Sequence, residues 1–221
     1  ASDVYKRQEE LHAHLDEIEH IHGLYSPVAL GLAAALACGA FTFLLGGGPF
    51  EMICAFLGAG MGNYLRCKLS EHHFTLFLCI VSSITLACLV YAGILKFAEV
   101  FFAISPQHEA GYICSMLFVI PGFPFITSGI DLSKLDMRSG LERLAYAIVI
   151  IVVATITAWI MALILNLKPL DFPELSLSAT ALLLLRLLAS FGGVFGFSIM
   201  FNSPIPLAAS AAVIGAIANT L

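Results

Sequence analysis

Residues 141–167 read LERLAYAIVIIVVATITAWIMALILNL, and this run decides the fold. After Arg143 no charged side chain interrupts it. A helix of about 20 such residues spans the roughly 30 Å hydrocarbon core of a bilayer. Backbone N–H and C=O groups find no water at that depth, so a helix must satisfy them internally. The rest of the chain has the same character: of 221 residues, 60% are hydrophobic and 11% charged, with a mean hydropathy of +0.97. A soluble domain carries about 25% charged residues, so an ordinary soluble enzyme and a disordered chain are both excluded. The net charge of −5 and isoelectric point near 5.7 argue against a nucleic-acid partner, which needs a basic footprint.

Outward from this run, further apolar stretches cover residues 27–45, 50–65, 73–100, 112–130, 177–201 and 206–221. Together they predict an all-α polytopic transmembrane bundle of about seven spans. The first ends at Gly46-Gly47-Gly48-Pro49, a turn signal. The second carries Gly58 and Gly62 in GAGMG, a small-xxx-small face that lets helices approach closely, and opens with Glu51, read as an interface residue. The fourth is interrupted by Pro121-Gly122-Phe123-Pro124, where a helix should break. Residues 168–176 (KPLDFPELS), with two prolines and three charges, read as a loop. The chain divides into a first membrane module of five spans over 23–167, this loop, and the start of a second module over 177–221. The last span stops without a polar tail, so the chain reads as cut rather than finished.

The N-terminal residues 1–8 (ASDVYKRQ) fit nothing that follows and read as an assembly scar, foreign to the fold. Residues 9–22 form a weakly amphipathic cytoplasmic helix, with Leu11, Leu15, Ile18 and His22 on one face. His12, His14, His20 and His22 are spaced mainly i,i+2, which does not bring side chains together on a helix, so no metal site is expected. The six cysteines include no CxxC pair and read as small packing residues within apolar runs. Arg66, Lys68, Lys134, Arg138 and Arg143 fall on one side of the bundle, and Lys96 and Lys168 on the other. By the positive-inside rule the N-terminus is expected on the cytoplasmic side, and the expected location is the cell's inner membrane.

Chemistry concentrates at residues 120–143, IPGFPFITSGIDLSKLDMRSGLER. Broken helices survive at membrane depth only in protein or beside a wet cavity, and in transporters they offer backbone groups to a substrate. Pro121, Gly122, Pro124, Thr127, Ser128 and Asp131 are therefore candidate substrate-binding residues. A purely structural kink, with the two hydroxyls bonded back to carbonyls, is the competing reading. Asp131 and Arg143 each border an apolar run, and pairing would lower the cost of a charge at the membrane, about 2.5–3.5 kcal/mol on insertion scales. Such a pair suits a proton-coupled latch. Arg186, within the span 177–201, is a candidate coupling or structural charge, or it snorkels to an interface. Asn202 reads as a helix cap or a cavity residue. No GxSxG, P-loop or HExxH motif occurs, and no catalytic residues or cofactors are expected.

The run PGFPFITSGIDLSKLDMRSGLERLAYA at 121–147 resembles the threonine/serine exporter family. Its first membrane domain has a proline-glycine-x-proline element, an aspartate, then a glycine and an arginine opening the next span. Those positions correspond to Pro121, Gly122, Pro124, Asp131, Gly140 and Arg143. Residues 25–48 look like that domain's first span, and residues 188–221, with Asn202 in an FN-x-P element, are similar to the opening of its second domain. The resemblance implies proton-coupled secondary export of threonine and serine, or of small dicarboxylates in members split over two chains. The second half is expected from a partner chain, the missing spans or a homo-oligomer. The competing reading is a non-transporting membrane subunit.

Overall fold

The computed structural model describes residues 11–12, 23–102, 111–167 and 178–220. The expected scar at 1–8, nearly all of the amphipathic helix at 9–22, and the loop at 168–176 lie outside them. Every regular element among the described residues is helical. The first, α1 (Pro27–Leu44), starts because Ser26 Oγ accepts from Ala29 N at 3.3 Å and Pro27 fixes the first helical φ. It ends where Gly46 takes φ 101°, a conformation that favours glycine, and Gly47 N closes on Thr42 O at 2.8 Å. Pro49 then opens α2 (Pro49–Glu71), followed by α3 (Leu76–Phe102). A short 3-10 helix (Cys114–Val119) leads to α4 (Gly122–Ser133) and α5 (Met137–Leu165), whose start is capped by the Asp136 carboxylate. The last two are α6 (Ala179–Met200), capped by Ser178, and α7 (Ile205–Thr220).

The sequence reads as seven crossings. By length and composition, four helices of the described residues are long and apolar enough to span a membrane: α1, α3, α5 and α6. The others differ for identifiable reasons. Helix α2 has 23 residues but carries Glu51, Asn63, Arg66, Lys68 and Glu71. Helix α7 has 16 residues, about 24 Å at 1.5 Å per residue. The stretch expected as a fourth crossing is divided into a 3-10 piece of 6 residues and α4, with 12.

Helix α1 lies between α2 and α6, α3 packs on both α2 and α5, and α7 lies on α6. The 3-10 helix is wedged against α1, α2 and α3. The main core gathers Cys38, Cys54, Ile84, Cys88, Tyr91, Cys114 and Phe118. Five cysteines are buried, Cys67 is half-buried, and all six are free thiols. The glycine face of α2 points into this core. A Cβ on Gly62 would sit 2.8 Å from Ser83 O and 2.9 Å from the Phe118 ring, and one on Gly58 would sit 2.9 Å from Ala87 O. Hydrogen thus stands where any side chain would push α2 off α3 and the 3-10 helix.

Gly62→Leu should lower the thermal unfolding temperature in detergent, overpacking of this kind costing about 1–3 kcal/mol. Gly93→Ala, on α3 with nothing within 4 Å of the added Cβ, should leave it unchanged or slightly higher. Equal effects of the two substitutions would contradict this account of the packing.

Candidate functional site

The site begins with a missing hydrogen. In a 3-10 helix each carbonyl accepts from the N–H three residues on. Phe118 O would therefore pair with residue 121, but Pro121 has no N–H. Ile120 is extended (φ −60°, ψ 122°), Pro121 has ψ 59°, and Gly122 N turns back to Ile120 O at 2.9 Å. Phe118 O is met instead by Arg66 Nη1 from α2, at 3.4 Å. The same guanidinium lies over the Phe118 ring, 5.7 Å from its centroid. Arg66 thus belongs to the site, although in the sequence it reads only as one charge at a helix end.

A cavity of about 670 Å³ lies beside this break. Its polar lining includes Arg66, Ser70, Glu71 and Tyr146, and Pro121 and Pro124 contribute the wall at the break. Gly23, Tyr25 and Phe201 also border it, so the start of α1 and the end of α6 meet there. Lys68 Nζ donates to Glu71 Oε2 at 2.9 Å, and that bond raises the exposed ammonium above the usual lysine value. A second hollow of about 680 Å³ runs between α1, α2 and α6, lined by Leu36, Met52, Phe56 and Leu188 with no charged side chain. It suits an acyl chain better than a polar solute.

The remaining expected site residues stand apart from the cavity lining. Thr127 Oγ1 donates back to Phe123 O at 3.0 Å and Pro124 O at 3.2 Å. Ser128, 1% exposed, donates to Gly140 O at 2.7 Å. Gly140 allows that approach, because a Cβ there would strike the Leu132 side chain at 2.7 Å. In this conformation both hydroxyls are engaged with backbone carbonyls, and Ser128 ties α4 to α5. Arg143 Nε lies 3.3 Å from Asp131 Oδ2, the side chains being 51% and 21% exposed. That oxygen is buried and makes no hydrogen bond, so the contact is electrostatic and off the N–H axis. Arg186 is exposed on α6 and makes no ion pair among the described residues. Asn202, at φ 62°, accepts from Leu24 N at 2.8 Å, and Tyr25 donates to Ser203 O at 2.8 Å. These bonds fasten the α6–α7 turn to the start of α1 at the cavity rim.

Glu51 corrects the interface reading: it is 0% exposed, among Cys54, Tyr91 and Cys114. Its place in the first turn of α2 gave no sign of burial, because Tyr91 of α3 and Cys114 of the 3-10 helix come beside it from distant parts of the chain. Among the described residues no cluster of His, Cys, Asp or Glu is arranged to hold a metal ion.

Ser128→Ala should destabilise the α4–α5 hairpin by about 1 kcal/mol, the usual worth of one such bond. Thr127→Val, which removes only back-bonds within α4, should cost less. Limited proteolysis at residues 134–136 together with thermal unfolding would measure both, and the reverse ranking would overturn the assignment.

Residues 4–166 match the ThrE family, whose description is threonine/serine exporter. No curated protein and no solved structure matches the chain.

Proposed function

The chain belongs to the threonine/serine exporter family of membrane transporters, and on that premise we propose that it exports small polar metabolites of the threonine and serine class. The observation that carries this reading is the cavity at Pro121 and Pro124. Its walls come from the start of α1, the end of α2, the start of α3, the break, α5 and the end of α6, so it sits toward one end of the bundle. With the N-terminus cytoplasmic, that end faces the cytoplasm and the cavity is the inward vestibule from which solute leaves the inner side of the cell membrane. Residues 23–167 form the first membrane module, and α6 and α7 begin the second. Gly122 releases the backbone at the vestibule wall, while Thr127 and Ser128 become available to solute only if α4 moves relative to α5.

Asp131 is the coupling group in this reading. Proton uptake by its carboxylate removes the attraction to Arg143 and frees α4 from the start of α5. Only the Arg143 side of this pair is half-exposed, and the buried Asp131 oxygen makes no hydrogen bond, so a change in its proton occupancy can shift the balance between two conformations. A second reading is favoured by Arg186. An exposed arginine on an apolar helix suits an acidic or polar partner from another membrane chain or a second copy. In that case this chain is one subunit of a larger exporter, and small dicarboxylates join the solutes to be tested.

Proteoliposomes holding the chain should release labelled threonine and serine faster under an imposed proton gradient than without one. Asp131→Asn should abolish the stimulation by the gradient while leaving exchange of solute at equal pH measurable. Unchanged gradient dependence in that variant would exclude Asp131 from coupling. Transport that appears only when a co-purifying membrane chain is added would select the subunit reading.

A further inference from the structure

We propose that Arg66 is the seat for a solute carboxylate in the cavity beside Pro121, so that the solutes carried must bear a free carboxylate. This inference rests on the transport reading above. The guanidinium has five N–H donors in a fixed fork that matches a carboxylate with two parallel bonds. Among the described residues only one of them is engaged, in the long 3.4 Å contact to Phe118 O. Among the described residues no carboxylate balances the charge. Glu71, which shares the cavity, is bound to Lys68 at 2.9 Å, and Asp131 lies against Arg143 at 3.3 Å. The ionisable groups that act on Arg66 are Cys67, Cys79 and Tyr146, thiols and a phenol rather than carboxylates.

Apart from Ser70, Glu71 and the tyrosines Tyr25 and Tyr146, the cavity is walled mainly by apolar side chains, including Ile80, Phe118, Ile120, Pro121 and Ile150. A cation in such surroundings is stabilised by a counter-ion, and the cavity is open to supply one. Its volume of about 670 Å³ is in the usual range for small-molecule sites, about 300–1,000 Å³. The contact over the Phe118 ring and the bond to its carbonyl restrain the guanidinium, so less freedom is lost when a carboxylate docks. An α-amino acid and a dicarboxylate both offer this group, and the test separates them.

Counterflow into proteoliposomes would be measured for labelled threonine and succinate. Competition would use unlabelled serine and threoninol, the latter carrying CH2OH in place of the carboxylate. Serine should compete with threonine, and threoninol should fail at concentrations where serine saturates. Arg66→Gln should raise the KM for threonine about tenfold or more, the scale of a lost charge-assisted contact, and Arg66→Lys should raise it less. Threoninol competing as well as serine would overturn the proposal. So would Arg66→Gln with an unchanged KM, or with a lower melting temperature and an unaltered preference for serine over threoninol, which a mere cap on Phe118 O would produce. Should Arg66→Gln fail to fold, the wild-type discrimination between serine and threoninol decides alone. Succinate transport that depends on Arg66, without threonine transport, would sustain the carboxylate seat and overturn the amino-acid reading. A wild-type protein that moves none of these solutes overturns both.

Discussion

The absence of an N–H at Pro121 is the constraint around which the rest of the site is arranged. Phe118 O loses its intrahelical partner, and a buried acceptor left unpaired is costly. Continuing the helix through Pro121 would also have set its ring against the preceding turn. The chain instead tightens to a 3-10 piece, takes one extended residue and starts again at Gly122. The orphaned acceptor is then answered from another helix by a cation. A backbone defect and a charged side chain, each unfavourable alone, offset one another at the wall of a cavity.

That arrangement depends on how near α2 can come to the 3-10 helix. Arg66 reaches Phe118 because Gly62, one turn earlier on α2, presents no side chain to the same ring. The spacing of four residues puts both on one helix face. Close packing and polar chemistry are therefore successive turns of a single helix stripe. Asn63 adds to it from the neighbouring position, its Nδ2 donating to Leu30 O of α1 at 2.8 Å. Helix α2 is the least apolar of the long helices, and Asn63 and Arg66 turn their polar groups to neighbouring elements.

Much of the fold is legible in the amino-acid sequence, because lipid imposes a simple rule on length and polarity. The apolar runs at 27–45, 73–100, 141–167 and 177–201 correspond to α1, α3, α5 and α6 within a few residues at each end. The glycines of GAGMG are equally readable as close-approach positions. Glu51 and Arg66 are not. Each owes its surroundings to residues far along the chain, Phe118 being 52 positions from Arg66. Local periodicity reports which face of a helix is apolar, not which distant carbonyl or ring will be brought against it. Thr127 and Ser128 illustrate the converse: a hydroxyl next to a break has the chemistry for a solute, yet nearby carbonyls can satisfy it first.

The paired bonds from Leu24 to Asn202 and from Tyr25 to Ser203 cross 178 positions of sequence to join two corners of the molecule. They make the root of α1 and the hinge between α6 and α7 a single mechanical unit. A displacement of the α6–α7 corner that kept these two bonds would carry the first residues of α1, and with them one edge of the cavity, along with it.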